Sequence, residues 1–273
     1  MTLDLAGRTD VGLKRSENQD EFLAELLCPG DEPAACLAVA DGMGGHEKGR
    51  QASQAAIRTV QEKMESWLKS DRTPPADEWF AAIETDAHNS VRSLATGDEI
   101  VGATLTVAFI HGKQCRIAHV GDSRAYSFRN GKLQQVTEDQ TWEAYALKNQ
   151  TENNYGKALR QAIGVGVIVT PALHRLDLCL EDLILLCSDG LYKMVGDELI
   201  EAELRQSRGA KDACARLVNL ALARGGKDNI AVCVARLGAP PAKTKKLDSA
   251  LVTALAAAIT ICLLLLLALT GRI

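Results

Sequence analysis

The sequence predicts an α+β fold: a four-layer αββα sandwich of two antiparallel β-sheets packed face to face and flanked by helices, plus one C-terminal transmembrane helix. Two observations predict the sandwich. Short apolar runs typical of strands occur in blocks, and pairs of amphipathic helices separate the blocks. Strands and helices do not alternate one by one, as they would in a parallel sheet. With 273 residues, 47% of them hydrophobic and 24% charged, the chain can bury such a core.

The first block consists of two predicted strands and two predicted helices. Strands are expected at residues 21–27 and 36–40, with a turn rich in Pro and Gly between them. Helices are expected at residues 49–69 and 76–94, and adjacent prolines separate them. Apolar residues recur at helical spacing on one face of each helix, which indicates packing against a sheet.

The middle of the chain is expected to hold three strands and a long loop. Residues 104–110, 114–120 and 124–128 are apolar runs with short polar turns between them, which predicts an antiparallel meander. Residues 137–170 are polar and irregular. A loop of this length is often a functional lid, so a surface excursion is expected here.

The last block again combines strands with a helix pair. Strands are expected at residues 173–178 and 183–187, helices at 197–206 and 210–224, and a final strand at 230–237. The predicted domain therefore covers residues 1–237, and no internal repeat is visible in the sequence.

Composition narrows the class of protein. The net charge is −4 and the body contains no long basic run, so a nucleic-acid partner is not expected. The eight cysteines form no Cys-x-x-Cys pair, and most lie within apolar runs. Buried reduced thiols are therefore favoured over zinc ligands or disulfides, which fits a cytosolic catalytic region. The N-terminus has no apolar core, so no secretory signal is expected.

The C-terminus differs in composition from the rest of the chain. Residues 249–271 contain no charged residue, and about 20 apolar residues are enough for a helix to span a bilayer. A buried core helix is the less favoured alternative. The preceding linker, residues 238–248, carries three lysines, whereas only Arg272 follows the apolar segment. The positive-inside rule then predicts a single-pass anchor in the cytoplasmic membrane, with the body in the cytoplasm.

Candidate functional residues are aspartates that lie close to glycine or asparagine in the sequence, mostly after predicted strands. They are Asp20, Asp41, Asp122, Asp189 and Asp228. A single aspartate in such a place is more often a turn residue than a ligand. Several carboxylates from strand ends, without Cys or His, are instead how proteins hold hard cations such as Mg²⁺ or Mn²⁺. The set predicts a metal-dependent hydrolase.

Hydrolysis of a phosphate ester is a reaction that such a metal site can catalyse. Two divalent ions about 4 Å apart can activate water and neutralise the phosphoryl group, and they need a bridging carboxylate. Asp41 is the best candidate for the bridge, because it ends a strand and is followed by Gly42, Gly44 and Gly45. Glycine lets the backbone approach closely, and the Gly42 carbonyl could itself be a ligand.

Six motifs occur in a specific order along the chain. They are Arg-x-x-Asn-Gln-Asp, Asp-Gly-Met-Gly-Gly-His, Gly-Ala-Thr-Leu, Gly-Asp-Ser-Arg-Ala-Tyr, Leu-Cys-Ser-Asp-Gly-Leu and Lys-Asp-Asn-Ile. Each motif alone is weak, but the ordered set is specific. Over residues 5–237 the chain resembles the bacterial form of the type 2C family of metal-dependent serine/threonine protein phosphatases.

The resemblance implies roles for the residues of a two-metal centre that takes Mn²⁺ or Mg²⁺. Asp41 resembles the ligand that bridges the two ions, and Asp189 and Asp228 resemble the other ligands of the first ion. The Gly42 carbonyl and Asp20 would serve the second ion, Asp20 directly or through water. These residues are the expected catalytic centre.

The resemblance also implies residues around that centre. Asp122 resembles a ligand of a third, weaker metal site shared with Asp189. Arg15 resembles the arginine that holds the substrate phosphate, and a planar guanidinium fork suits phosphate oxygens. Residues 142–162 correspond to the variable flap of the family, which is short here.

Two positions depart from the pattern of eukaryotic members. Gln19 stands where those proteins often have glutamate, and a neutral amide binds Mg²⁺ more weakly than a carboxylate. Met43 stands where they have a histidine, which removes a candidate general acid. His46 has the wrong spacing for that role and is expected to be structural.

Two functions are compatible with this sequence. One is an active phosphatase for phosphoserine and phosphothreonine in proteins, with a membrane-linked Ser/Thr kinase and its targets as expected partners. The other is a phosphoprotein-binding module on the same fold, with weak or no turnover. The first is favoured because Asp41, Asp189 and Asp228 are all present.

Overall fold

The described part of the chain forms two antiparallel sheets with helices on both outer faces. The computed structural model describes residues 1–28, 32–45, 47–73, 75–151 and 155–238. None of the helices in these ranges is long and apolar enough to cross a membrane. The predicted transmembrane segment, residues 249–271, lies outside the described residues and stays a prediction, as does the domain boundary at residue 237.

The first sheet has five strands in the order β1-β11-β10-β7-β8, and every neighbouring pair is antiparallel. These strands are β1 (Thr2–Asp10), β7 (Arg124–Arg129), β8 (Lys132–Gln135), β10 (Leu183–Cys187) and β11 (Ile230–Gly238). The sequence did not predict β1 or β8. Both are edge strands whose residues are only half-buried or exposed, so neither shows the apolar run of a central strand.

The second sheet is antiparallel in the order β2-β3-β5-β6-β9, and the short strand β4 pairs with the end of β3. These strands are β2 (Asp20–Cys28), β3 (Ala34–Met43), β4 (Gly102–Ala103), β5 (Leu105–His111), β6 (Gln114–Val120) and β9 (Ala172–Asp177). Strands β5 and β6 form the expected hairpin, but β7 belongs to the first sheet. The predicted three-stranded meander is therefore wrong at its third strand.

The chain leaves the second sheet at Gly121. This residue has φ +109, and a Cβ there would lie 2.6 Å from Cγ2 of Thr104. Glycine is therefore required for the turn that carries the chain from β6 to β7. The turn places Asp122 between the ends of the two sheets.

Helices form the two outer layers and one insertion. Two long helices cover the second sheet, and the C-terminal helices cover the first. They are α1 (Glu47–Leu68), α2 (Asp77–Arg92), α3 (Trp142–Asn149), α4 (Asp189–Tyr192), α5 (Asp197–Gln206) and α6 (Ala210–Ala223). Helix α3 lies in the segment predicted to be irregular, and Thr141 caps it by accepting a hydrogen bond from the Ala144 amide.

The strand β3 shows how four layers arise from a continuous apolar run. Cys36 and Ala38 belong to the core under α1 and α2, whereas Leu37 and Val39 belong to the core between the sheets. Successive side chains of a strand point to opposite faces, so a strand buried on both faces must be apolar throughout. The predicted αββα sandwich is confirmed for the described residues.

Candidate metal centre

Two of the predicted aspartates are direct neighbours across the second sheet. Asp20 begins β2 and pairs with Asp41 near the end of β3. Thr104 fixes the Asp41 backbone from the other side: its amide donates to the Asp41 carbonyl at 2.8 Å, and its Oγ1 accepts from the Asp41 amide at 2.9 Å. The two carboxylates are thus set side by side by strand pairing.

Gly42 follows Asp41 within β3, at a crowded position. A Cβ at this position would lie 1.9 Å from the carbonyl oxygen of Gly49 in α1 and 2.9 Å from that of Gln19. The Gly42 amide donates to the same Gln19 carbonyl at 3.0 Å. Glycine is needed here because the start of α1 packs directly on the backbone.

The first sheet supplies two further aspartates. Asp189 follows β10 and begins α4, and Asp228 precedes β11. Ser188 links the two sheets, because its Oγ donates to Asp20 Oδ2 at 2.6 Å and accepts from the Ala231 amide at 2.9 Å. This hydrogen bond joins residues that are 168 positions apart in the chain.

Asp122 lies at the same end of the sandwich. The Tyr192 hydroxyl donates to the Asp122 carbonyl at 3.0 Å, and the Lys193 ammonium lies 3.6 Å from Asp122 Oδ2. Lys193 also forms an ion pair with Asp189. One lysine therefore connects the two residues expected to share a third metal site.

Burial and mutual repulsion disfavour negative charge on this group of carboxylates. Burial is the main cause that raises the pKa of Asp20 to about 7 and that of Asp122 to about 6, and the Asp189 charge adds to both. Burial, followed by the charges of Asp20 and Asp189, raises the pKa of Asp41 well above its ordinary value. A positive charge placed among them would relieve the repulsion.

Two oxygens of the group have no hydrogen-bond partner. Among the described residues, Oδ1 of Asp20 and Oδ1 of Asp189 are buried and unpaired. Unpaired buried oxygens are costly, and a hard divalent cation would satisfy them. Their chemistry fits Mn²⁺ or Mg²⁺, so the residues present fit the expected ions.

The carboxylates now lie beside cationic side chains of the protein itself. In the ranges that the structure describes, no three His, Cys, Asp or Glu side chains are grouped so that they could hold a metal ion as they stand. Lys193 pairs with Asp189, and Arg15 donates to Asp228 Oδ2 at 2.9 Å. Cations bound by these carboxylates would therefore replace the internal ion pairs.

Arg15 stands at the open side of the centre. Its side chain is 51% exposed and forms an ion pair with Asp228. With Gln19 and Gly44, among others, it lines a small cavity of about 220 Å³. An exposed guanidinium beside the acidic group is well placed to bind a phosphate.

Asn229 is a functional candidate that the sequence analysis did not single out. Its Oδ1 accepts from the Gln19 amide, and its Nδ2 donates to the carbonyls of Val11 and Glu17, each at 2.9 Å. One buried side chain thus fixes both ends of the loop that carries Arg15. Asn229 belongs to the Lys-Asp-Asn-Ile motif, but the sequence analysis assigned a role only to the aspartate of that motif.

The opposite side of the centre is a fixed polar network. Arg124 makes two 2.8 Å hydrogen bonds to the Asp139 carboxylate. Its guanidinium lies 3.7 Å from the centroid of the Tyr192 ring. The predicted flap, residues 142–162, contributes to a cavity of about 910 Å³ that reaches Arg124 and Asp139.

Histidines are placed in structural positions. Nδ1 of His119 bonds to Oγ1 of Thr106 at 2.9 Å, and Nδ1 of His88 accepts from the Gly164 amide at 3.2 Å. Burial lowers the pKa of both imidazoles, and that of His119 falls to about 4. His46 lies outside the described residues.

The sequence profile described as "Protein phosphatase 2C" matches residues 14–232. The chain belongs to the protein phosphatase 2C family. Among curated relatives, it is 33% identical over 247 residues to the serine/threonine protein phosphatase PstP of Mycobacterium tuberculosis. That match covers 86% of this chain but only 45% of the relative, so the chain spans about half the length of that protein. The serine/threonine phosphatase stp of Listeria monocytogenes is 31% identical, over 82% of this chain and 92% of its own length.

Solved structures agree with this family. The PstP/Ppp phosphatase of M. tuberculosis has a TM-score of 0.74 at 32% identity, covering 88% of this chain and all of that one. The PstP catalytic domain in complex with two manganese ions has a TM-score of 0.70, at 32% identity, and covers 87% of this chain and all of that one. The predicted family is confirmed by these comparisons, and the relatives named above are serine/threonine phosphatases.

Proposed function

We propose that this chain removes phosphate from phosphoserine and phosphothreonine in proteins, in a reaction that depends on Mn²⁺ or Mg²⁺. The observation that carries the proposal is the convergence of Asp20, Asp41 and Asp189 from two sheets, with buried oxygens left unpaired, beside an exposed Arg15. Carboxylates of this kind without a cation would only repel one another.

Residues of both sheets would hold the ions. We assign Asp41, Asp189 and Asp228 to the first ion and the Gly42 carbonyl with Asp41 and Asp20 to the second. The bound ions would supply an activated water and neutralise charge on the phosphoryl group. Ser188 keeps Asp20 oriented, because its hydroxyl occupies Oδ2 and leaves Oδ1 available.

A third ion would lie on the other side of the centre. Asp122 and Asp189 are its ligands in this proposal, and both now interact with Lys193. Removal of the ammonium from between them would free their oxygens for a weakly held cation. This site is proposed as a secondary one, because the lysine competes for it.

Arg15 would bind the substrate. Its guanidinium can exchange the single Asp228 contact for two parallel hydrogen bonds to phosphate oxygens. Asn229 keeps the Arg15 loop against the centre, so the phosphate arrives beside the acidic group. Holding both partners in place lowers the entropic part of the barrier.

Phosphate release from a phosphothreonine peptide tests the proposal. The full chain should release phosphate with Mn²⁺ and stop when EDTA is added. Asp189→Asn should be inactive, whereas Asp98→Asn, an exposed loop carboxylate, should match the wild type. Binding of the peptide by folded protein without turnover would instead favour the phosphoprotein-binding module.

A membrane location forms a separate part of the proposal. Residues 249–271 contain no charged residue and follow a linker with three lysines, which supports an anchor in the cytoplasmic membrane. A tethered phosphatase would then oppose a Ser/Thr kinase near the membrane, through raised local concentration. Carbonate-washed membranes should retain the full chain and release a chain that ends at residue 238. Release of both would contradict the anchor.

A further inference from the structure

Beside the candidate metal centre lies a group of apolar side chains that the proposed chemistry does not use. We call Met43, Ile100 and Val165 the apolar shoulder. The Ile100 side chain is 70% exposed and that of Val165 37%, while Met43 is half-buried. Single exposed apolar residues are ordinary, but several together beside a functional site mark an interaction surface.

The side chains of Met43 and Val165 meet at Gly102, and the backbone of Ile100 passes beside Gly44. A Cβ at Gly102 would lie 2.8 Å both from Cε of Met43 and from Cγ2 of Val165. A Cβ at Gly44 would lie 3.3 Å from the Ile100 carbonyl oxygen. Segments far apart in the sequence therefore meet next to Gly42, at the end of β3.

The shoulder is continuous with the cavity beneath Arg15. Gly44 lines that cavity and also contacts the segment that carries Ile100. An extended peptide advances about 3.3 Å per residue. A phosphoresidue held at Arg15 would thus place its near neighbours in the substrate over the shoulder.

The segment of Val165 is held firmly. Ile163 and Ala103 exchange two backbone hydrogen bonds, and His88 accepts from the Gly164 amide. Gly164 has φ +87, and a Cβ there would lie 2.4 Å from Cγ1 of Val91. The backbone beside Val165 is therefore closely packed.

The segment of Ile100 is fixed by a lysine of helix α1. The Lys48 ammonium donates to the Leu94 carbonyl at 3.2 Å, to Thr96 Oγ1 at 3.1 Å and to Glu99 Oε2 at 2.5 Å. A surface whose backbone is already ordered loses little entropy when a partner binds.

We propose that the apolar shoulder binds an apolar side chain next to the phosphorylated residue and so selects phosphoproteins with such a neighbour. The proposal rests on the proposed phosphatase function. Its occupant is a segment of the substrate, because the shoulder is continuous with the cavity that would receive the phosphate. Transfer of an apolar side chain from water onto this surface would favour such substrates.

A series of phosphothreonine peptides tests this selection with the full chain and Mn²⁺. Each peptide carries leucine or asparagine at one of the two positions before or after the phosphoresidue. At one position or more, leucine should raise kcat/KM about fivefold over asparagine. Equal kcat/KM across the series overturns the proposal. Failure to hydrolyse any peptide or p-nitrophenyl phosphate overturns the phosphatase function as well.

Variants locate the preference on the molecule. Val165→Thr changes polarity at nearly constant size, and Ile100→Thr adds a hydroxyl and shortens the side chain by one heavy atom. Together they should reduce the leucine preference to less than about twofold. Leu180→Thr is the matched control, because Leu180 is 49% exposed and precedes β10 at the other end from Asp189. It should keep the full preference.

Retention of the preference in the double variant would overturn the proposal. Another pair of results would also overturn it: sedimentation shows a wild-type dimer that Val165→Thr dissociates, and kcat/KM is equal across the peptide series. The apolar shoulder would then bind a second copy of the chain. The peptide series with the wild-type chain tests the proposal even if a variant fails to fold.

Discussion

Carboxyl groups whose pKa is raised lie in two very different settings in this protein. Asp20 and Asp41 lie at the meeting point of the sheets, among other carboxylates and next to cationic side chains. Glu84 lies in helix α2, fully buried in the core under the second sheet, and neither of its oxygens has a partner among the described residues. Burial raises the pKa of all three residues, so burial alone does not distinguish them.

The neighbours make the difference. At the candidate metal centre the charges of other carboxylates add to the effect of burial, whereas burial is the only cause of the raised pKa of Glu84. A single buried carboxyl group can be neutralised by one proton. Several carboxylates that converge beside a cavity need more positive charge than protons supply near neutral pH, and divalent cations provide it. Convergence, rather than burial, therefore indicates the metal site.

The largest effect is expected from Asp41→Asn. Asp41 is the carboxylate proposed to serve both ions, so its loss should lower kcat/KM for a phosphothreonine peptide about 1000-fold or more. In EDTA the same variant should melt at a higher temperature than the wild type, because one of the repelling charges is gone.

These two readouts separate a metal ligand from a residue needed for folding. Asp98→Asn, in an exposed loop, should change neither kcat/KM nor the melting temperature in EDTA. If Asp41→Asn melts at a lower temperature than the wild type in EDTA, repulsion between these carboxylates does not destabilise the fold, and this interpretation is wrong.

The next effect concerns the exposed arginine. Arg15→Ala should raise KM for the charged phosphopeptide about tenfold and leave kcat less affected, since a charge-assisted hydrogen bond to the phosphate is lost. Arg72, which is exposed and hydrogen-bonds to the Leu68 carbonyl, offers a matched control in Arg72→Ala. A large fall in kcat at constant KM would argue against phosphate binding by Arg15.

A smaller effect is expected at the lysine that stands between two acidic residues. Lys193→Met removes the ammonium beside Asp189 and Asp122. Because the ammonium group no longer competes with added cations for these carboxylates, the Mn²⁺ concentration needed for half-maximal activity should fall about threefold to tenfold. A rise in that concentration would show that Lys193 supports the metal site. Lys63→Met, which removes a surface pair with Asp86, is the control.

Much of this centre could be predicted from the sequence because its parts are local. Asp41 and Asp189 each follow an apolar strand and precede glycine, so both the strand and its end are visible in a few residues. The sandwich followed from the same runs. Strand β1 was missed because an edge strand with half-buried residues has no such run.

The contacts that hold the centre together could not be predicted in the same way. The hydrogen bond from Ser188 to Asp20 and those of Asn229 to the Arg15 loop join residues about 200 positions apart. Nothing near Ser188 in the sequence indicates that Asp20 is its partner. The crossing at Gly121 was also missed, because a tight turn inside one sheet and a passage to another sheet have similar local sequences.

The smallest effect on activity, and the sharpest test of the comparison, is expected from Glu84→Gln. The folded-state pKa of Glu84 is raised, so the folded protein holds this proton more tightly than the unfolded chain does. Its contribution to stability is fully present below the ordinary pKa of glutamate and is lost as the pH rises through the raised folded pKa. Glutamine keeps the shape without the charge, so Glu84→Gln should gain stability over the wild type as the pH rises from 5 to 8, at unchanged kcat/KM. Urea unfolding in EDTA at several pH values measures this difference. A difference that does not vary with pH would show that Glu84 is not a lone proton-holding carboxyl group, and the contrast with the metal centre would fail.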